Sequence, residues 1–288
     1  MIYINAAIAA GKSSLTKYLS EDLGTKAFYE EVDDMPMLKK FYAHSAKSRY
    51  ELAFPLQVAF LNYRYTQLSE GIQLAREGMR NTVYDSSLLS DSLMANNLHR
   101  RHEFPTEEYN LYLNLLKHMQ ANVGGHPFNG YPDLVVYLDM SFSTMLKHIQ
   151  ERGRDIEDIT KDQSLVDYYR SVWDIYNNWA HSYSESSLLV IDMNKYDFVH
   201  RISDRAIVLA LIERRLYDLG LLKQVELKRL IKRRKNDEIK HGTPRILMSE
   251  IHKAVEILEH GVPDVANQVH QYNKEDQPDT FRAQAMMV

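Results

Sequence analysis

Residues 2–14 read IYINAAIAAGKSS, an apolar stretch that runs into a turn of small residues and then into Gly11, Lys12 and Ser13. The apolar stretch, Ile2–Asn5, predicts a buried strand. The turn matches the relaxed phosphate-loop pattern, in which backbone N–H groups at a helix N-terminus surround a polyphosphate. Because the pattern lies between a predicted strand and a predicted helix, it indicates a binding site for a nucleoside triphosphate.

The phosphate loop supplies the first set of predicted site residues. Lys12 is expected to neutralise the β- and γ-phosphates and to act in catalysis, and the Ser13 hydroxyl is expected to bind the Mg²⁺ carried by the nucleotide. Glycine is usual at two positions that alanine occupies here, and a positive φ there would cost roughly 1 kcal/mol. The nucleotide-binding residues predicted from the loop are Ala6, Ala7, Ile8, Ala9, Ala10, Gly11, Lys12, Ser13 and Ser14.

Four further apolar runs have the length of strands, and segments with helical spacing separate them. The runs are residues 27–29, 82–85, 134–138 and 188–191. Strands that alternate with helices predict an α/β fold, in which helices cover both faces of a parallel sheet. Thr106, followed by two glutamates, predicts the start of one of these helices.

The composition is that of a globular chain. Its 288 residues include 35 basic and 39 acidic side chains, which give a formal net charge of −4, and no cysteine. The absence of cysteine excludes disulfides and thiolate metal sites, and the charge argues against a protein that coats nucleic acid by bulk attraction. Every apolar run is far shorter than the ~20 residues of a membrane helix. With no basic leader at the N-terminus, we expect a cytoplasmic protein.

Further motifs follow the phosphate loop along the chain. They are residues 28–36 (FYEEVDDMP), 54–64 (FPLQVAFLNYR), 84–87 (YDSS), 132–134 (PDL), 144–154 (TMLKHIQERGR) and 167–169 (DYY). In this order and spacing they resemble the deoxynucleoside kinase family, most closely its bacterial deoxyadenosine and deoxyguanosine kinases. The resemblance covers residues 1–222 and implies a P-loop kinase fold, with a five-stranded parallel sheet flanked by helices.

The same resemblance implies the reaction and the roles of several side chains. The γ-phosphoryl group of a nucleoside triphosphate, ATP by expectation, passes to the 5′-hydroxyl of a deoxynucleoside, expected to be a purine, for nucleotide salvage. Glu30 is the implied general base, Gln57 reads the edge of the acceptor base, and Tyr42 touches its sugar. Arg152 and Arg154 are the implied lid arginines, which stabilise the charge that develops during transfer.

Further residues take their roles from the resemblance alone. Asp85 belongs to the acceptor site and holds Mg²⁺ through water, and Glu157 is a lid carboxylate near the 5′ end of the acceptor. The loop that contains Lys195, Asp197 and Phe198 holds the base of the donor nucleotide. The family also implies a homodimer.

Three positions depart from the family pattern. Ser86 stands where the family has an arginine that helps to place the 5′-hydroxyl and the carboxylate base, and Ala6 and Ala9 replace glycine in the phosphate loop. These departures favour, as an alternative, a nucleotide-binding protein of the same fold with weak or no catalysis. A nucleoside monophosphate kinase is a further alternative, because related folds accept monophosphates.

Residues 223–288 lie outside the resemblance and form a C-terminal extension. Nine Lys and Arg stand against four Asp and Glu over residues 221–250, and apolar residues recur with helical spacing over 249–271, interrupted by Gly261 and Pro263. We expect a small, basic, helical appendage of unknown role that packs on the kinase domain, and a polar terminus after Gln271. A helix-turn-helix that contacts nucleic acid is the alternative.

Overall fold

The computed structural model describes residues 1–30, 36–43, 45–124, 128, 130–160, 164–240 and 245–262. The strands are β1 (Ile2–Asn5), β2 (Ala27–Phe28), β3 (Val83–Tyr84), β4 (Leu134–Asp139) and β5 (Ser187–Asp192). All neighbouring strands pair in parallel, in the order β2-β3-β1-β4-β5. The predicted five-stranded parallel sheet is confirmed, with β2 and β3 shorter than the apolar runs that contain them.

Helices flank this sheet. They are α1 (Lys12–Leu23), α2 (Pro36–Ala43), α3 (Ser45–Arg76), α4 (Leu88–Arg100), α5 (Thr106–Val123), α6 (Phe142–Arg152), α7 (Ser164–Ser182), α8 (Ile202–Asp218), α9 (Gln224–Lys240) and α10 (Arg245–His260). The predicted helix start at Thr106 is confirmed. In the part of the chain described above, no helix combines the length and the apolar character needed to cross a membrane.

The centre of the sheet places the carboxyl ends of three strands side by side. Every residue of β1 and β4 is buried, because helices cover both faces of a parallel sheet. β1 pairs with β3, and β3 pairs with β2. The segments that follow these three strands therefore emerge at one edge of the sheet, where open α/β folds bind their ligands.

Helix α3 approaches β2 and β3 closely. The ring of Tyr84 stacks on Phe28 with centroids 4.6 Å apart. A Cβ at Gly71 would overlap the Tyr84 hydroxyl and lie 3.0 Å from its Cζ, so glycine is what allows this approach. Pro55 lies inside the same helix and removes one backbone N–H donor.

The C-terminal extension packs on the body of the protein through a buried ion cluster. Arg234 of α9 donates to Glu213 Oε1 of α8 at 2.8 Å and also bonds to Asp22 of α1. Helix α10 buries an apolar stripe against α8 and α9; the stripe consists of Ile251, Ala254, Val255 and Leu258. The predicted helical appendage is confirmed as far as residue 262, whereas the expected turn at Pro263 and the terminus after Gln271 lie outside the described residues.

Candidate active site

The phosphate loop joins β1 to α1, and its backbone has a left-handed turn at an alanine. Ala9 has φ 61°, so the penalty expected for alanine in this loop arises at Ala9, while Ala6 has an ordinary negative φ. Gly11 has φ 82°, and a Cβ there would lie 3.0 Å from the ring of Phe198. The Lys12 ammonium group donates to the Ala7 carbonyl at 3.5 Å, and desolvation lowers the Lys12 pKa.

A serine and a buried carboxylate meet at the start of α1. The Ser13 hydroxyl donates to Asp85 Oδ2 at 2.8 Å, and Asp85 is only 2% exposed. Burial raises the pKa of Asp85, opposed by the hydrogen bond from Ser13 and the charge of Lys12. Asp85 Oδ1 has no hydrogen-bond partner within the described ranges. A hydroxyl beside a carboxylate with a spare oxygen is a donor set that suits Mg²⁺.

Glu30 follows β2, and α3 fixes the backbone that carries it. The Tyr63 hydroxyl and the Gln67 amide both donate to the Tyr29 carbonyl, at 3.1 and 2.7 Å. The Glu30 carboxylate is 28% exposed and forms an ion pair through Oε1 with Arg64 Nη2. Glu31, its sequence neighbour, lies outside the described residues.

Arg64 and Asp91 are residues of the site to which the sequence assigned no role. The Arg64 side chain is 1% exposed, and its Nε lies 3.6 Å from Asp91 Oδ1 of α4. Burial raises the pKa of Asp91 to about 7, against the opposing effect of Arg64. Arg64 stands in the quoted motif at residues 54–64, but only the fold brings it to Glu30 and Asp91.

One pocket collects most of the predicted residues. Gln57 is 4% exposed, and its Oε1 has no hydrogen-bond partner among the residues described. Apolar side chains from α2, α3, α4 and α7 line the same space: Leu38, Phe41, Leu56, Phe60, Met94 and Tyr176. The predicted residues that line it are Ala6, Ala7, Ile8, Ala9, Lys12, Glu30, Tyr42, Gln57, Arg152, Arg154 and Glu157.

A buried aromatic and ionic cluster supports Tyr42 from behind. Its ring meets that of Tyr168 edge-on, with centroids 6.1 Å apart. The Arg49 guanidinium lies 5.3 Å from the Tyr168 ring centroid and donates to both carboxylate oxygens of Glu103, at 2.8 and 3.1 Å. The side chains of Arg49 and Glu103 are almost fully buried, so a buried ion pair stabilises this wall of the pocket.

The two lid arginines converge on one carboxylate. Arg152 is the last residue of α6 and bonds to Glu157 Oε2, and Arg154 Nη1 lies 3.8 Å from Glu157 Oε1. Glu157 is 5% exposed and ends a short 3₁₀ turn, Asp155–Glu157. Both arginines line the same pocket as the phosphate loop.

The loop predicted to hold the donor base lies on the other side of the phosphate loop. Phe198 is completely buried beneath Gly11, whereas Lys195 is exposed. The Asp197 N–H donates to Asp204 Oδ2 at 2.7 Å, and its carboxylate accepts from the His200 N–H at 3.1 Å. Phe198 is thus next to the phosphate loop, and all three residues lie outside the pocket that holds Glu30 and Gln57.

Comparison with known proteins gives consistent matches over this part of the chain. The family model described as deoxynucleoside kinase matches residues 2–216. The chain is 39% identical over 222 residues to a deoxyguanosine kinase of Lactobacillus acidophilus, covering 77% of this chain and 93% of that protein. It is 38% identical over 223 residues to a deoxyadenosine kinase of the same organism, covering 77% and 99%.

The fold also matches solved structures. A deoxyadenosine kinase from M. mycoides with bound dCTP superposes with a TM-score of 0.57 at 21% identity, covering 76% of this chain and 100% of that one. At this identity the match establishes a shared fold.

Proposed function

The chain belongs to the deoxynucleoside kinase family, and on that premise we propose that it transfers the γ-phosphoryl group of ATP to the 5′-hydroxyl of a purine deoxynucleoside. It is an enzyme of deoxynucleoside salvage. The observation that carries the proposal is one pocket lined by the phosphate loop, Glu30 and Gln57. Donor phosphates and acceptor nucleoside can therefore meet in a single space with a carboxylate beside them.

On the donor side, cations surround the position of the transferred group. The Lys12 ammonium group neutralises the β- and γ-phosphates, and the guanidinium groups of Arg152 and Arg154 stabilise the charge that develops in transfer. Ser13 and Asp85 are the residues that would hold Mg²⁺. That ion, when bound there, would supply positive charge that offsets the charge of the phosphates. The loop of Lys195, Asp197 and Phe198 would lie next to the donor base.

On the acceptor side, polar groups fix both ends of the nucleoside. The Gln57 amide offers a donor and an acceptor, which pair with the edge of a purine, and Tyr42 contacts the sugar. The ion pair with Arg64 occupies Oε1 of Glu30, so Oε2 accepts the 5′-hydroxyl proton. A carboxylate is a sufficient base here, because a loose transition state needs positioning more than strong deprotonation. The Glu157 carboxylate lies near the 5′ end of the acceptor nucleoside.

The direct test is an assay of phosphate transfer from ATP to each of the four deoxynucleosides and to dAMP and dGMP. We expect transfer to deoxyadenosine or deoxyguanosine. No transfer to any of the deoxynucleosides would overturn the proposal, and preferential phosphorylation of a monophosphate would replace it with the nucleoside monophosphate kinase alternative.

The role of Glu30 has its own test. Glu30→Gln should lower kcat by about 10²–10⁴-fold while the nucleoside still binds. Glu151→Gln is the matched control, since Glu151 is exposed on α6 and pairs with Lys147 one turn earlier. Full activity of Glu30→Gln would show that another group takes the proton.

Three further expectations complete the proposal. The family resemblance supports a homodimer, which light scattering of the purified protein would test, and a cytoplasmic location, which cell fractionation would test. We also propose that residues 1–222 form the kinase domain and residues 223–288 an extension that is docked on it. Limited proteolysis between α8 and α9 should then leave an active kinase fragment.

A further inference from the structure

A single arginine at the start of α8, Arg205, holds the backbone of the loop that we place next to the donor base, residues 195–200 (the donor loop). Its Nε donates to the Phe198 carbonyl at 2.9 Å, and its Nη2 donates to the Val199 carbonyl at 2.7 Å. A planar guanidinium group with separate nitrogen atoms can bond to two acceptors at once, which a compact ammonium group cannot do in the same geometry. One side chain therefore fixes two consecutive peptide units of the donor loop.

The side chains of the same two residues pack against the phosphate loop. A Cβ at Gly11 would lie 3.0 Å from Phe198 Cζ and 3.2 Å from Val199 Cγ2. Phe198 is completely buried, and a closely packed interior transmits a shift of one group to its neighbours. The position of the donor loop backbone therefore affects the phosphate loop at Gly11.

The Arg205 guanidinium group also contacts α1, the helix whose N-terminus carries the phosphate loop. Its Cζ lies 3.9 Å from the centroid of the Tyr18 ring, within the distance at which a cation is attracted to an aromatic face. Arg205 thus joins α8, the donor loop and α1. These elements surround the phosphate loop on the side away from Glu30 and Gln57.

We propose that Arg205 is a positioning residue of the donor site, which holds the donor loop and the phosphate loop in the arrangement that binds the nucleoside triphosphate. This inference rests on the proposed function, which places the donor base at this loop. Arg205 does not line the pocket of Glu30 and Gln57, so it acts through the donor loop and through Tyr18. Its loss should weaken binding of the donor and leave binding of the acceptor unchanged.

A second contact keeps the donor loop attached to α8 when Arg205 is replaced. The Asp197 N–H donates to Asp204 Oδ2 at 2.7 Å, and this bond does not involve the arginine. The loop should therefore sample other arrangements rather than unfold. Apparent affinity falls in proportion to the population of the binding-competent arrangement.

The test measures the KM of ATP and the KM of the acceptor, deoxyadenosine or deoxyguanosine, for the wild type, Arg205→Met and Arg205→Lys. Arg205→Met should raise the KM of ATP by about 10-fold, as when the competent arrangement falls to about one tenth. The KM of the acceptor and the kcat at saturating ATP should stay at their wild-type values, because only uniform binding of the donor is lost. Arg205→Lys should give a smaller increase in the KM of ATP.

Arg215→Met is the matched control. Arg215 lies on the same helix, is also partly exposed, and donates through Nε and Nη2 to the Ser187 hydroxyl at 3.2 and 2.9 Å. Ser187 begins β5, at the edge of the sheet opposite the phosphate loop. A loss of stability without any change in the KM of ATP is therefore expected for this variant.

A binding measurement separates this inference from the proposed function. Calorimetric titration with Mg²⁺ and the non-hydrolysable analogue AMPPNP requires no turnover, and Arg205→Met should bind the analogue about 10-fold more weakly than the wild type. A wild type that binds AMPPNP but transfers no phosphate refutes the proposed function, and the titration of the variant then decides the inference. A wild type that does not bind AMPPNP refutes both.

Two results with an active wild type would overturn the inference alone. One is an Arg205→Met variant with the wild-type KM of ATP, and the other is an equal increase in the KM of ATP and of the acceptor. If Arg205→Met does not fold, Arg205→Lys decides, because a wild-type KM of ATP with lysine would mean that the two-carbonyl contact is not needed.

Discussion

The buried arginine of the extension offers the sharpest test of how that extension is attached. The Arg234 side chain is 5% exposed and bridges Asp22 of α1 and Glu213 of α8. Arg234→Met keeps most of the apolar stem but leaves two buried carboxylates without their shared cation. Removal of one partner from a buried ion pair typically lowers the free energy of unfolding by about 3–5 kcal/mol.

For this variant we expect the lower end of that range, about 3 kcal/mol, because Asp22 keeps its ion pair with Arg233. At roughly 2–4 °C per kcal/mol for a chain of this size, the melting temperature should fall by about 6–12 °C. Urea unfolding followed by tryptophan fluorescence and thermal unfolding followed by circular dichroism measure the two quantities independently.

Arg233→Met is the matched control. Arg233 contacts the same Asp22 at 2.9 Å, but its side chain is 47% exposed. An exposed ion pair contributes no more than about 1 kcal/mol. If the two variants lose equal stability, the buried cluster does not fasten the extension and the reasoning fails.

Three further predictions concern other parts of the molecule. Burial raises the pKa of Glu213 from 4.5 to about 8. Between these pH values the folded state holds one more proton than the unfolded state, so the free energy of unfolding should fall as pH rises toward 8. Glu213→Gln, measured by urea unfolding from pH 5 to 9, should lack that decline. Gly71→Ala should lower stability by about 1–3 kcal/mol through overlap with Tyr84, and Tyr84→Phe in the same chain should restore part of the loss in a double-mutant cycle. Ala9→Gly should raise the melting temperature slightly. Glycine removes the strain of a Cβ at positive φ, roughly 1–2 kcal/mol, and this exceeds the added conformational entropy of the unfolded chain, about 0.5–1 kcal/mol. A lower melting temperature would contradict this prediction.

The sheet could be predicted because its central strands are continuous apolar runs. β4 was expected at residues 134–138 and is observed at Leu134–Asp139, since a strand covered on both faces needs apolar residues at every position. At the edge of the sheet, β2 and β3 pair through only two residues each. Apolar character there reflects packing against α3 rather than strand pairing, so the runs overestimated the strands.

The site divides in the same way between local and distant contacts. The phosphate loop lies within one stretch of sequence, so its position between β1 and α1 and its alanine at positive φ, Ala9, depend on local contacts. The Arg64–Glu30 pair joins residues 34 positions apart, and helical periodicity does not say which acidic side chain an arginine on α3 will meet. Only the path of α3 beside β2 brings these two side chains together.

The basic run of the extension illustrates how a charge count can mislead when the fold is unknown. Arg229 and Arg233 donate to the carbonyls of Asp22 and Glu21, in the last turn of α1, whose opposite end carries the phosphate loop. Cations at the C-terminal end of a helix interact favourably with its dipole, so these two arginines bind the kinase domain through α1. A nucleic-acid surface on α9 would have to rest on residues such as Lys228 and Lys232, which are exposed. Within the described part of the run, docking therefore explains the arginines better than nucleic-acid binding does.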